Sequence, residues 1–556
     1  MKNLPEIQWL IDRWELPDDG PAIDRVRELL VAERVAGSTA LSLAVPVPSW
    51  GHAAAAPADS NDSPLVLLED GAYLQSRRCY LAEKSVAERI LHFADPLKEN
   101  ALSISSDDVA DPVASLFDGA AEDDLQVKAA RTALQRRLTI ITGGPGTGKT
   151  YTLARILALL VGAGQSPDFI RLAAPTGKAA DRMKQSVEAS VTSLQTPDET
   201  RRQSLLQIAR RSSTLHSLLG YNPSTSRCRH DAATPLPCEV LIVDECSMVD
   251  LHLWKVLLEA LPDSARLILL GDPLQLQSVG QGNVFGDLVG HAKEDSSPLH
   301  GSLVRLTESR RFRNRPGISK LAEALEKSDE QGAEALLRDA VQHPGITWID
   351  LPKGMLPYDK IPATIRDSIG AVANAPSPED ALEALGKVCI LTAHRRHSLG
   401  AGDISKAITR ELMNRGAGPS SDRAPNEPVI INTNDPETGL RNGAVGILHT
   451  DEQGVRRAWF RDSNGNPRSY SVGNLPDNSP AWAITIHRSQ GSEYDDVLII
   501  LPKNESPLNT RELLYTAITR ARKNVIIAGV IEAVKAAVKT LPARVTLLGK
   551  ALDRTT

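Results

Sequence analysis

The 556-residue chain is poor in the features that mark secreted, membrane-spanning or globally basic proteins. Its five cysteines, Cys79, Cys228, Cys238, Cys246 and Cys389, are scattered, odd in number and without a CxxC pair. That excludes a disulfide framework and a zinc ribbon. The one loose grouping, Cys228, His230 and Cys238, lacks the four closely spaced ligands of a structural zinc site. No apolar run approaches the ~18 residues of a spanning helix, and the N-terminus "MKNLPEIQWLIDRWELPDDG" carries acid where a signal peptide would be apolar. A cytoplasmic protein without a membrane partner is expected. Basic excess is missing too. Lys and Arg total 63 against 69 Asp and Glu, a formal charge of −6, so contact with nucleic acid has to come from a local basic track.

What is present is ordinary globular composition, 41% hydrophobic and 24% charged, which excludes large-scale disorder. The length predicts roughly three or four domains. Residues 1 to about 118 read as a separate unit, divided by the Pro/Ala/Ser-rich stretch 46–65. From about 119 to 302, "RLTIITGG", "RLAAPT", "EVLIVDE" and "RLILLGD" alternate with helical stretches, the α/β pattern of a parallel sheet, each strand closing on a polar or Gly-rich end. A second α/β unit is expected over 303–425 and 476–556, with "KVCILTAH", "VLIILP" and "NVIIAGV" as buried strands. Between its halves, 426–475 reads as short strands punctuated by Gly439, Asn442-Gly443, Gly454 and Asn464-Gly465, an inserted small β-barrel.

The strongest chemical signal is "GGPGTGKT", a phosphate loop of Gly143, Gly144, Pro145, Gly146, Thr147, Gly148, Lys149 and Thr150 between a strand and a helix. Its glycines let backbone N–H groups close on phosphate oxygens, Lys149 pairs with the β- and γ-phosphates, and Thr150 can hold Mg²⁺. About a hundred residues on, the strand Val240–Val243 runs into Asp244-Glu245. An acidic pair after a strand is by itself more often a cap or a turn. Downstream of a phosphate loop it divides into a metal-binding carboxylate, Asp244, and a water-polarising one, Glu245.

In order, "TGGPGTGKT", "LAAPTGKAADRM", "STLHSLLG", "LIVDECSMVD", "LILLGDPLQLQSVGQGNVFGDL", "LTESRRFRN", "AWAITIHRSQGSEYDDVLIILP" and "LLYTAITRAR" resemble the motif series of superfamily 1 DNA helicases. Within it they resemble the family of RecD-type subunits of exodeoxyribonuclease V, over about 125–556, with 64–93 similar to that family's N-terminal domain. The resemblance implies two RecA-like parallel-sheet motor domains with an inserted SH3-like barrel and an N-terminal α+β docking domain. It implies ATP with Mg²⁺, single-stranded DNA, and RecB-like and RecC-like partners in a heterotrimer for double-strand-break repair and recombination. It assigns Gln126 to adenine, Gln275 to sensing between γ-phosphate and DNA, and Arg311 and Arg520 to the γ-phosphate. Strand contacts fall to Thr176, Lys178, Thr214, His216, Thr485, His487 and Ser489. With aromatics at 4%, these contacts are expected to be to phosphate rather than by stacking.

The sequence departs from the family at Cys246, where many relatives carry Ala, and at Arg310, often Tyr, neither of which is assigned to phosphate or metal. Only 142 residues precede Gly143, fewer than free-standing RecD-like helicases carry, which favours the subunit. The expected activity is therefore ATP-driven 5′-to-3′ translocation within a helicase-nuclease. An ATP-binding scaffold would have no use for Glu245, and a small-molecule kinase none for the second α/β unit.

Overall fold

The computed structural model describes residues 20–43, 55–57, 64–69, 72–95, 113, 116–117, 124–194, 199–351, 358–395, 399–418, 424–462, 465–502, 506, 508–541 and 544–554. Most of the Pro/Ala/Ser-rich stretch 46–65 and the expected boundary near 118 lie outside them.

Four strands, β1 (Ala40–Ser42), β2 (Ala55–Pro57), β3 (Leu65–Leu68) and β4 (Tyr73–Ser76), form a small mixed sheet in the order β1-β4-β3-β2. The helix Arg77–Ala94 leaves β4, capped by the Ser76 hydroxyl, which accepts from the Cys79 N–H. Its apolar residues, three and four apart, give it a single buried face. Val86, Ile90 and Phe93 join Trp254, Leu257 and Leu258 of the helix Leu251–Ala260 in one apolar cluster with Leu548 and Leu552 from the chain's end. The expected N-terminal unit is thus seated against the next one: a helix with a whole apolar face has to bury it, and here it does so on the helix Leu251–Ala260, while Val26, Leu29, Leu43, Leu65 and Leu74 form a small cluster of their own.

That sheet holds β5 (Leu138–Gly143), β6 (Ile170–Ala174), β7 (Ser213–Thr214), β8 (Val240–Val243), β9 (Arg266–Gly271) and β10 (Leu303–Leu306), all parallel, in the order β10-β5-β9-β8-β6-β7. Strands β5, β8 and β9 are buried along their whole length, as the unbroken apolar runs of a doubly covered parallel sheet require. The second unit does not begin at 303, since β10 pairs with β5, Leu303 opposite Ile140. A four-residue strand fits the edge of either sheet, and its pattern does not name its partner.

The second sheet joins β11 (Ile346–Asp350) and β12 (Val388–Thr392) to three strands that follow an insertion. The insertion is an antiparallel sheet of β13 (Glu427–Ile431), β14 (Val445–Thr450), β15 (Arg456–Arg461), β16 (Pro467–Ser471) and β17 (Asn478–Pro480), in the order β16-β15-β14-β13-β17. It runs past the expected limit of 475, because β17 pairs with β13 through Val429 opposite Pro480. A proline is tolerated there because β17 is an edge strand. Then β18 (Ala483–Thr485), β19 (Tyr494–Ile500) and β20 (Ala521–Gly529) complete a parallel sheet in the order β11-β20-β19-β12-β18.

The chain's end does not stay with this second sheet. Arg544 donates to the carbonyls of Ala36, Gly282 and Ser278 at 2.8–2.9 Å, and the helix Leu548–Arg554 packs in the first sheet's cluster. Beside it the buried Glu83 accepts from Thr39 Oγ1 (2.5 Å), Gln75 Nε2 (2.7 Å) and Leu547 N (3.1 Å). Among the described residues no helix is long and apolar enough to cross a membrane.

Candidate nucleotide cleft and strand track

Parallel strands bring their functional ends to one edge of the sheet, and the registers decide which ends meet. Thr142 lies opposite Gly271 and Val243 opposite Leu269, so Gly143, Asp244 and Asp272 emerge side by side. The loop from Gly143 leads into the helix Lys149–Gly162. Gly146 (φ +78°) and Gly148 (φ +89°) take left-handed conformations, and a Cβ on Gly146 would strike Arg311, one on Gly148 the amide of Gln126. The loop thus has room for backbone and little else.

Gln126 is buried, although glutamine is usually exposed, and its Nε2 donates to Thr147 O at 3.1 Å. Lys149 Nζ donates to the carbonyls of Gly143 (2.5 Å) and Gly144 (3.3 Å). Those bonds hold the ammonium inside the loop, where phosphate oxygens are the stronger acceptors. Thr150 is half-buried one position further into the helix. Asp244 Oδ1 accepts from Glu245 N at 2.8 Å, and Glu245 sits at φ +54°, a conformation a non-glycine residue adopts at a cost of about 1–3 kcal/mol. Burial pushes the Asp244 carboxyl up, the neighbouring Glu245 adds to this, and Lys149 and Arg182 oppose it. A half-buried carboxylate pair of this kind suits a cation, and Thr150 and Asp244 are the oxygen donors expected from the sequence to hold it.

The other wall comes from the second sheet. The helix Arg511–Ile518 presents Tyr515, whose hydroxyl donates to Asp272 Oδ2 at 3.2 Å, and Thr516, whose hydroxyl accepts from Leu276 N at 2.8 Å. Arg520 Nη2 donates to Gln275 Oε1 at 2.8 Å, while Gln275 Nε2 donates to Asp272 Oδ2 at 3.1 Å. Gln275 and Arg520 are both buried, so the expected sensor and one expected arginine meet directly. Burial lowers the Arg520 pKa, and Glu245 and Asp272 counter it. Arg311 is held against the loop through its neighbours: Ser309 Oγ donates to Pro145 O (3.0 Å) and Arg310 N to Gly146 O (2.9 Å). A cavity of about 540 Å³ opens beside the loop, lined by Gly144, Thr147, Asp272, Ser309, Phe312 and Tyr515.

The expected strand contacts are placed less uniformly. Thr176 and Thr214 are helix caps, their hydroxyls accepting from Ala179 N (3.2 Å) and Ser217 N (3.1 Å), at the ends of the paired strands β6 and β7. Lys178 is half-buried, and burial lowers its pKa to about 8. His216 is exposed and meets the Tyr221 ring edge to face at 5.2 Å. Thr485 and His487 are half-buried at the end of β18, and burial lowers the imidazole pKa. Ser489 is a correction: it is wholly inaccessible, its hydroxyl donating to Ile486 O at 2.7 Å, so it shapes the turn and faces no surface. The ends of β6, β7 and β18 therefore gather one group of candidates, and those of β5, β8 and β9 the other.

Four further residues of the cleft, Arg182, Asp272, Glu493 and Tyr515, fall inside stretches legible as motifs. Asp272 had a signal, since it ends an apolar strand as Asp244 does. A recess of about 230 Å³ at the end of β18 adds Arg395, Lys406 and Arg488 beside Thr485, with Asp403 also in its lining.

Residues 126–281 match the AAA domain family and residues 480–528 the UvrD-like helicase C-terminal domain family. The RecBCD enzyme subunit RecD of Mycolicibacterium smegmatis is 36% identical over 526 residues, covering 93% of this chain and 89% of that one. RecD of Haemophilus influenzae is 31% identical over 499 residues, covering 82% and 77%. The ATP-dependent RecD2 DNA helicase of Deinococcus radiodurans is 31% identical over 429 residues, covering 74% of this chain and 51% of that one.

Proposed function

Because the chain belongs to the RecD family of helicase subunits, we propose that it is an ATP-dependent DNA helicase that runs 5′-to-3′ on single-stranded DNA within a RecBCD-type enzyme. RecB-like and RecC-like subunits are its partners, in double-strand-break repair and homologous recombination. The observation that carries this reading is the Gln275–Arg520 bond, which ties the end of β9 to the wall that follows β19 across the nucleotide cleft.

In this reading Gly143–Thr150 enclose the phosphates, Gln126 flanks the adenine end, and Lys149 leaves its loop carbonyls for the β- and γ-phosphates. Thr150 and Asp244 would hold Mg²⁺, which would supply charge neutralisation at the phosphates. Glu245 orients and polarises the attacking water. Arg311 and Arg520 approach the γ-phosphate from the second unit; arginines in such a role are worth about 10³ to 10⁵ in rate, so an open cleft is effectively inactive. Gln275 touches Arg520 directly and connects phosphate occupancy to the second sheet. An ATP-binding scaffold would need neither the strained Glu245 nor the paired Gln275 and Arg520.

The strand track runs over Thr176, Lys178, Thr214, His216, Thr485 and His487, holding phosphates without reading bases. The inserted sheet serves as the SH3-like barrel of the family, and the N-terminal sheet as the docking surface for the partners. Strand displacement on substrates with only a 5′ or only a 3′ overhang tests direction: unwinding from the 5′ overhang is expected, and unwinding solely from the 3′ overhang overturns it.

A further inference from the structure

Glu493, just before β19, is the carboxylate on which three of the cleft's arginines, Arg182, Arg311 and Arg522, converge. Its Oε1 accepts from Arg311 and also pairs with Arg182, which the helix Gly177–Ser193 brings from the first unit; its Oε2 accepts from Arg522 Nε at 3.3 Å. The Glu493 side chain is only 9% exposed, so three guanidinium groups share one buried negative charge. Arg311 Nη1 is buried and has no hydrogen-bond partner. A buried donor of this kind is costly unless something fills its place, and the phosphate loop lies against the same residue. Burial and the neighbouring Arg182, Arg520 and Arg522 bring the Arg311 pKa down to about 9, and those same neighbours crowd the cation.

We propose that Glu493 is a positioning residue that holds Arg311 in the nucleotide-free cleft, and that Arg182, reaching across from the first unit, balances its grip, so that the γ-phosphate has to take Arg311 away from Glu493. This rests on the ATP-site reading above. Arg311 has two competing anions, a resident carboxylate and an incoming phosphate, and the fraction held by the carboxylate lowers the apparent affinity for ATP. Arg182 draws on the same carboxylate oxygen and thereby weakens its hold on Arg311. The two residues touch, yet their removal acts in opposite directions. Without the charge of Glu493, Arg311 is free for phosphate; without Arg182, Glu493 binds Arg311 harder.

The test is steady-state ATP hydrolysis by the full chain without DNA, across an ATP series, with Lys149→Gln as the blank. Glu493→Gln is expected to lower the apparent KM roughly tenfold, the factor of one charged contact, and to raise DNA-free turnover at low ATP. Arg182→Ala is expected to raise KM by several-fold, and Arg182→Lys to restore it towards wild type. A general loosening of the cleft moves both variants the same way, so KM changes of one sign, or an unmoved KM in Glu493→Gln, overturn the assignment. If Glu493→Gln does not fold, Arg182→Ala with unchanged or lowered KM overturns it alone. Wild-type protein without Lys149-dependent hydrolysis overturns the ATP-site reading, and this inference with it.

Discussion

Where the helix Arg77–Ala94 meets the helix Leu251–Ala260, the contact is made by Val86, Ile90 and Phe93 with Trp254, Leu257 and Leu258, all in one apolar cluster. Across the cleft between the two parallel sheets, contact is made by Arg520 with Gln275, Tyr515 with Asp272, and Arg182 with Glu493. Apolar packing has one good arrangement, and opening it returns the full cost of exposure, roughly 25 cal/mol per Å². Polar pairs exchange partners at small net cost, a guanidinium passing from carboxylate to phosphate. On the function proposed above, the first interface is suited to stay shut and the second to open and close with each nucleotide.

The largest expected effect that separates the two is on turnover. Lys149→Gln or Glu245→Gln is expected to abolish DNA-stimulated ATP hydrolysis while the thermal midpoint stays within a few degrees of wild type, read by calorimetry beside a phosphate-release assay. Trp254→Ala, by contrast, is expected to cost about 3–5 kcal/mol of stability and to lose activity only by unfolding. If it loses turnover while its melting curve is unchanged, the seam is part of the motor and the comparison fails. Third, Gln275→Ala is expected to retain nucleotide binding and lose most of the stimulation by single-stranded DNA, since it removes the partner of Arg520; equal stimulation places the sensor elsewhere.

The smallest effect concerns a carboxylate in the apolar seam. Asp287 is raised to about 7, mainly by burial, with Glu83 adding to the shift and Thr546 and Arg544 opposing it. Its folded pKa lies above the unfolded value, so the folded state holds the extra proton between roughly pH 4 and 7, and stability falls as pH rises through that window. Asp287→Asn is expected to stabilise the protein by about 1 kcal/mol or more at pH 8 and by little at pH 4. A gain that is equal at both pH values removes burial as the cause.

The cleft's parts were legible in the sequence where chemistry and local structure coincide. A glycine-rich turn between strand and helix, and two carboxylates at the end of an apolar strand, are patterns a few residues long, and Lys149, Asp244 and Glu245 lie where those patterns put them. Partner choice was not legible. Arg182 and Glu493 each sit in a recognisable stretch, but their pairing depends on how two sheets face each other, which no local spacing encodes. The same holds for β10, whose sheet is fixed by β5, and for β17, whose Pro480 disguises an edge strand as a loop. The helix Arg77–Ala94 buries one apolar face, and the surface that covers it, from residues 251–260 and 548–554, is likewise not encoded in its own spacing.

Hydrogen exchange of the full chain with and without a non-hydrolysable ATP analogue tests most directly whether the two interfaces differ in kind. The account predicts that amide protection changes in the segment 272–278 and the helix Arg511–Ile518, while the helices Arg77–Ala94 and Leu251–Ala260 exchange at the same rate in both states. Equal changes at the seam and the cleft, or a change at the seam alone, would contradict it.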